Sequence, residues 1–219
     1  MSTFVKNGTP DNLASESKGL GLLANTLKEH GIRLRTPSII AHTSGSIVME
    51  RIQTSLATPD QWQKAGVLLA KLHAIQQHHY GWATDNFIGL GKQTNVISHN
   101  WADFFINYRL LAKANELSNR AFSSSLAKTI KQQYEPLSAL LNKNTTPSLL
   151  HGDLWQGNIL FSTDDIWLID PAVYYGDSEV DIAMTMMFGG FAPEFYEGYE
   201  SIRPLSDAFE TKREIYNLY

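Results

Sequence analysis

The sequence predicts an α+β protein in two lobes, a small strand-rich lobe over residues 1–52 and a larger, mainly helical lobe over residues 53–219. Three observations carry that expectation. Short apolar runs separated by turn residues fill the first fifty positions. Apolar residues at helical spacing dominate from Thr58 onward. One pair of short apolar runs interrupts the helical part in the pattern of a hairpin. Glu50-Arg51-Ile52 forms the expected linker, and a cleft between two such lobes is a usual place for a small-molecule site.

The first element is a strand, Thr3-Phe4-Val5-Lys6, stopped by the turn-forming Asn7-Gly8-Thr9-Pro10. A helix follows with Asp11 or Asn12 as its cap. Leu13, Leu20, Leu23 and Leu27 stripe one face, and Gly31 fits the position just past its end. Residues 38–41 and 47–50 flank Ser44-Gly45-Ser46 as a hairpin. Thr58-Pro59 then pairs a cap with proline at the first helical position, ahead of an apolar face of Trp62, Ala65, Leu69 and Leu72. Trp101, Phe104, Phe105, Tyr108 and Leu111 mark a second face, and Leu126, Ile130, Leu137 and Leu141 a third. Residues 80–98, rich in Gly and Asn, read as a loop. Leu149-Leu150 leads into a polar loop over 151–158. Ile159-Leu160-Phe161 and Ile166-Trp167-Leu168-Ile169, hinged on Thr163-Asp164-Asp165, form the hairpin. Residues 178–187 and 193–201 read as further helices.

Composition excludes several classes. Apolar residues make up 43% and charged residues 18%, which excludes a disordered chain. The absence of cysteine excludes disulfide scaffolds, thiolate zinc sites, iron–sulfur clusters and cysteine nucleophiles. Eighteen Lys and Arg against 22 Asp and Glu give a net charge of −4, and Lys212-Arg213 is the one adjacent basic pair, so no nucleic-acid partner is expected. No run approaches about 18 apolar residues, and Met1-Ser2-Thr3-Phe4-Val5-Lys6 lacks the apolar core of a signal peptide. A soluble, cytoplasmic protein with no membrane partner is expected.

The residues that carry chemistry are His151-Gly152-Asp153-Leu154-Trp155-Gln156-Gly157-Asn158 and Leu168-Ile169-Asp170-Pro171. Asp153 and Asn158 stand five apart, the spacing of a kinase catalytic loop, where Asp is the base and Asn holds Mg²⁺. Asp170 ends the second strand of the hairpin, which returns it beside Asn158. Mg²⁺ takes one or two protein oxygens plus phosphate oxygens, so Asn158 and Asp170 suffice, leaving Asp153 to accept a hydroxyl proton. Lys6 on a strand and Glu16 on the following helix repeat the kinase pairing of a phosphate-holding lysine with a helix glutamate. Two solvated surface charges would look the same in isolation. His42 and His78-His79 have no metal-spaced partners, and Ser44-Gly45-Ser46 lacks the helix N-terminus of a phosphate loop.

This pattern resembles the aminoglycoside-phosphotransferase and choline-kinase-like group, and more narrowly the fructosamine kinase (ketosamine-3-kinase) family. Trp155 within the loop motif, Tyr80-Gly81-Trp82, Asp85-Asn86-Phe87-Ile88-Gly89, Gln93, Asn95, Arg109-Leu110 and Met187-Phe188-Gly189-Gly190-Phe191 carry the narrower likeness. The resemblance implies a protein-kinase-like fold and ATP- and Mg²⁺-dependent phosphorylation of the 3-hydroxyl of a ketosamine. The phosphorylated product is labile, so the implied role is deglycation of amines and proteins. It implies Asp153 as base, Asn158 and Asp170 as Mg²⁺ ligands, Lys6 on the phosphates and Glu16 orienting Lys6. Met49, Glu50 and Arg51 would form the adenine hinge. Trp155 and residues of the 80–95 stretch would form walls for the sugar, with His151 and Asp181 as structural support.

The resemblance begins at the lysine strand, where family members carry two earlier strands and a glycine-containing loop, and it stops early at the C-terminus. A shortened member is therefore expected, with a truncated β lobe and a free sheet edge open to self-association. Losing two or three backbone donors to phosphate would remove about 3–9 kcal/mol, against about −8 kcal/mol for micromolar binding. Two other readings stay open at this point, a kinase of an aminoglycoside or choline-like substrate and a non-catalytic pseudokinase module.

Overall fold

Turn residues and a proline-started helix organise the first fifty residues of the computed structural model, which describes residues 2–219. Strand β1 (Thr3–Asn7) runs into helix α1 (Pro10–Glu29). The cap of α1 is Thr9, two or three residues ahead of the expected Asp11 or Asn12. Its Oγ1 accepts the Asn12 N–H at 3.4 Å, because Pro10 lacks an N–H and its fixed φ suits the first helical position. Gly31 (φ +63°) ends the helix. Its N–H reaches the Lys28 carbonyl, and the Ile32 N–H reaches that of Leu27 at 2.9 Å, a left-handed termination that favours glycine. Leu13, Leu20, Leu23 and Leu27 are buried as the spacing predicts.

Strand β2 (Leu34–Arg35) precedes β3 (Ile39–His42) and β4 (Ser46–Glu50). The expected hairpin is present, and the first sheet has the order β1-β4-β3, with Lys6 opposite Ile47. Leu13, Leu20, Ile47 and Met49 form a small core under this sheet, separate from the main one.

The helical part opens with α2 (Pro59–His73), where Thr58 and Gln61 form a reciprocal capping box. The 80–98 stretch contains a small hairpin, β5 (Asn86–Ile88) and β6 (Gly91–Gln93), which corrects its reading as a loop. Strands of three residues are too short to show a period. Helix α3 (Trp101–Phe105) continues through a wider π-type turn over Ile106–Leu110 into α4 (Leu111–Glu116). The third apolar face is two helices, α5 (Arg120–Gln132) and α6 (Tyr134–Leu141), broken at Gln133. Of its four residues Ile130 and Leu141 are fully buried, and Leu126 and Leu137 are partly buried against the same core.

Four strands then build the loop scaffold: β7 (Pro147–Leu150), β8 (Ile159–Phe161), β9 (Ile166–Leu168) and β10 (Tyr174–Asp177). The predicted β8–β9 hairpin forms, and β2 adds to it in parallel beside β9. β7 pairs with β10, Leu150 opposite Tyr174. Neither β2, β7 nor β10 was expected, because each is settled by a distant partner rather than by local pattern. The chain closes with α7 (Glu179–Thr185), α8 (Pro193–Glu200) and α9 (Phe209–Tyr216), the last also unexpected. Lys212 on α9 is fully buried between Asp177 (2.9 Å) and Glu179 (3.1 Å), so the one adjacent basic pair is not a surface patch. No helix among the described residues is long and apolar enough to cross a membrane.

Candidate active site

Two ladders bracket the polar loop. β7 delivers His151, β8 receives Asn158, and the segment 169–173 passes between them before joining β10. The Ile169 N–H donates to the Asn158 carbonyl (3.0 Å) and the Ala172 N–H to that of His151 (2.8 Å), so the two segments are stitched together. Gly152 sits at φ +81°, and a Cβ there would lie 2.1 Å from the Ala172 carbonyl. No side chain fits. Gly152→Ala is expected to separate the two segments, seen as a drop of several degrees in Tm together with lost nucleotide binding; unchanged melting and binding would contradict it.

Asp181, fully buried on α7, anchors the loop from beneath. Its Oδ2 accepts the His151 N–H at 2.7 Å and its Oδ1 accepts the Gly152 N–H at 2.9 Å. His73 Nε2 lies 3.2 Å from Oδ2, and His73 Nδ1 is 2.9 Å from the Tyr199 hydroxyl. Burial alone would raise the Asp181 pKa, but the His73 and Gly152 hydrogen bonds outweigh it and hold the carboxyl below its ordinary value. Burial pushes His151 down. Its Nδ1 accepts the Asp153 N–H (3.3 Å) and its Nε2 faces the Ile169 carbonyl (2.9 Å), the bonding of a neutral ring with the proton on Nε2. His151 and Asp181 thus sit where structural support was expected.

Asp153 and Asn158 meet directly. The Asn158 amide nitrogen donates to Asp153 Oδ2 at 3.0 Å and to the Asp153 carbonyl at 2.7 Å. Burial raises the Asp153 pKa against the opposing pull of His151 and Asn158. Lys6 Nζ lies 2.8 Å from Glu16 Oε2 and 2.9 Å from Asp170 Oδ1, so β1, α1 and the β8–β9 hairpin converge on one ammonium. Burial works against the charge on Lys6, but Asp170 and Glu16 more than offset it and its pKa is raised. Burial also raises Glu16, whose Oε1 is buried without a partner. Asp170 holds φ +53°, an uncommon conformation for a residue with a side chain.

These groups open onto a cavity of about 500 Å³, lined among others by Lys6, Glu16, Phe87, Leu90, Asp153 and Asp170. A second, mostly apolar cavity of about 190 Å³ adjoins it at Asp170 and is lined by Phe4, Met49, Glu50, Arg51, Ile52 and Ile169. The expected hinge residues therefore line one cavity. The N–H groups of Glu50 and Arg51 are already donated to Ser38 O (3.0 Å) and Ser2 O (3.1 Å), which leaves Ile52 as the next possible backbone donor. Trp155 does not line the larger cavity; its ring covers Gly157 and meets Phe188 edge-on at 6.1 Å, beside the loop.

The donor set suits Mg²⁺. Asn158 spends its amide nitrogen on Asp153, which leaves its oxygen, and Asp170 adds a carboxylate, two hard oxygen donors with room for phosphate. No larger His, Cys, Asp and Glu cluster with metal geometry occurs among the described residues. Sequence reasoning missed His73, a histidine in the last turn of an apolar helix, whose role depends on a partner 108 residues away. It also missed the hairpin tip at Leu90, for which loop composition was the one available signal.

An α+β chain with this stitched loop, lysine–glutamate pair and paired cavities is of the protein-kinase-like phosphotransferase class. An ADP-bound aminoglycoside phosphotransferase shares the fold with a TM-score of 0.61 at 21% identity, over 98% of this chain and 74% of that one. A family profile described as fructosamine kinase matches residues 2–219. A "Probable ketoamine kinase" of Synechocystis sp. is 37% identical over 211 residues, 94% of this chain and 69% of that protein. A solved structure from Haemophilus somnus 129PT, assigned as a fructosamine-3-kinase, has a TM-score of 0.83 at 28% identity, over 99% of this chain and 74% of that one. The chain belongs to the fructosamine kinase family, and it is a kinase-type phosphotransferase as the sequence predicts.

Proposed function

We propose that the chain transfers the γ-phosphoryl group of ATP to the 3-hydroxyl of a ketosamine, on a free amine or a protein lysine. The observation that carries this reading is the meeting of Asp153, Asp170, Lys6 and Glu16 on one cavity, with Asn158 bonded to Asp153 behind it, and a small apolar cavity of adenine size adjoining. In the proposed roles, adenine occupies the apolar cavity and Lys6 holds the phosphates, with Glu16 and Asp170 setting its position. Asp153 accepts the acceptor hydroxyl proton as the new O–P bond forms and the bond to the β-phosphate oxygen breaks, releasing ADP. Mg²⁺ held by Asn158 and Asp170 would supply charge neutralisation on the phosphate oxygens. Trp155, two residues from the base but outside the lining of the larger cavity, is proposed to flank the sugar from beside the loop. We also propose the division into residues 1–52 and 53–219, which the separate core under the first sheet supports, while Leu23, Leu27, Ile32 and Leu34 tie the first part into the main core.

The acidic groups among the residues lining the larger cavity are Glu16, Asp153 and Asp170, all committed to the transfer. Among the described residues no further carboxylate lines that cavity itself, Asp11 and Asp85 lining a neighbouring one, which weighs against an aminoglycoside acceptor bound there. β1 has one unpaired edge among the described residues, with Phe4 and Val5 about half exposed, and association through it is part of the proposal.

Calorimetric titration with a non-hydrolysable ATP analogue tests the nucleotide site, with Mg²⁺ and in EDTA, alongside Asp170→Asn. Binding that strengthens with Mg²⁺ in the parent chain, and loses that gain in Asp170→Asn, is expected. A folded chain that binds nothing at millimolar analogue would overturn the reading. Turnover of a ribulosyl or fructosyl amine then tests the acceptor.

A further inference from the structure

The β5–β6 hairpin enters the site from the side that the transfer chemistry leaves open. Its two-residue turn, Gly89-Leu90, lines the larger cavity together with Phe87, Asp153 and Lys6. Leu90 is 93% exposed. Tight turns ordinarily carry Gly, Asn, Asp or Ser, and a leucine there holds an apolar side chain in water at the mouth of a cavity.

The base of the hairpin is held firmly. Asn86, Gln93 and Asn95 are buried. Asn86 Nδ2 donates to the Val173 carbonyl at 2.7 Å, three residues past Asp170. Asn95 Nδ2 donates to Asn86 Oδ1 at 2.8 Å, and the fully buried Arg109 donates to Asn95 Oδ1 at 2.7 Å. The tip is therefore set in position relative to Asp153 and Asp170 by hydrogen bonds to the same segment that carries Asp170.

Nucleotide enters from the adenine cavity through Lys6 and Asp170, so an in-line acceptor lies beyond Asp153. A sugar beside Asp153 directs the group it is attached to toward the rim, where Leu90 stands. A ketosamine of lysine carries a four-carbon apolar stem at that point; a ketosamine of a one-carbon amine carries none. We infer that Leu90, backed by Phe87, is a specificity-determining residue that packs on the alkyl stem of the acceptor amine and so favours ketosamines of lysine over those of short amines. The inference rests on the ketosamine reading of the same site.

Steady-state kinetics of the parent chain, Leu90→Ser and Leu90→Met decide it, with ribulosyl-lysine and ribulosyl-methylamine as acceptors. Leu90→Ser is expected to raise KM for ribulosyl-lysine about tenfold, the scale of a lost partly buried leucine contact. KM for ribulosyl-methylamine, KM for ATP and both kcat values stay unchanged, and Leu90→Met keeps the parent preference. The position is exposed, so an unchanged Tm reports that folding is intact. An equal rise for both acceptors, or no rise for either, overturns the inference alone. Binding isotherms of both acceptors with a non-hydrolysable ATP analogue give the same comparison independently of turnover. Failure of the parent chain to bind or phosphorylate either one overturns the ketosamine reading and this inference with it.

Discussion

Asp153→Asn is expected to lower kcat by roughly 10²–10⁴ while leaving Mg²⁺-dependent nucleotide binding intact. The amide keeps the size and one acceptor oxygen of the carboxylate, so the loop should stay in place. It cannot take the hydroxyl proton. Asn158 also loses a charged acceptor for its 3.0 Å hydrogen bond, but its bond to the Asp153 carbonyl at 2.7 Å remains. Parallel loss of nucleotide affinity and turnover would argue against the base assignment. The pH profile offers a second check. Burial raises the Asp153 pKa, and the working form is the carboxylate. Activity should therefore begin to fall with acid at a higher pH than for an ordinary aspartate, and Asp153→Asn should flatten that limb. An acid limb that persists in the variant would assign it to another group.

Asp181→Ala carries the largest expected effect on stability. It strips the acceptor from the N–H groups of His151 and Gly152 and from the His73 ring, all within a buried region. Each of the three orphaned donors costs about 1–3 kcal/mol, so the loss is about 3–9 kcal/mol. For a chain of this length that is a fall in Tm of about 6 °C or more. A change below about 2 °C would mean that the loop is held otherwise. The folded pKa of Asp181 lies below its ordinary value near 3.8. Its stabilising contribution is then complete above the unfolded pKa and is lost as pH falls through the folded one. Denaturant midpoints of the parent chain should drop over that acidic range, and the gap to Asp181→Ala should narrow there.

Much of the architecture was legible because it is local. The β3–β4 and β8–β9 hairpins, the Thr58-Pro59 start and the Gly31 stop are each decided by a few neighbouring residues. Apart from the short β5–β6 hairpin, the elements that escaped reading, β2, β7, β10 and α9, depend on partners far away in the chain. Two-residue β2 exists because β9 lies beside it. α9 is held by Lys212 between Asp177 and Glu179 and by the Tyr216 hydroxyl on Asp177 (2.7 Å), contacts that no window around residue 212 contains. The break at Gln133 was invisible for a related reason. Apolar spacing on either side stays in phase and all four residues pack against one core, so the pattern carries no mark of the break.

The candidate site divides in the same way. The spacing of Asp153, Asn158 and Asp170, together with the family resemblance, predicted a kinase-type arrangement, and the structure bonds Asn158 to Asp153 and stitches Ile169 to Asn158, because a short loop and a tight hairpin leave few paths for the chain between them. The pairing of Lys6 with Glu16 was readable as a pattern, yet their meeting with Asp170 around one ammonium required the packing of β1 and α1 against the hairpin. Only the tertiary structure put His73 under Asp181, moved Trp155 out of the cavity lining and brought Leu90 to its mouth. Sequence records which residues can do chemistry and how far apart they stand along the chain. Which of them share a cavity is settled by contacts between distant segments, and those are fixed by burial and hydrogen bonding in the folded chain.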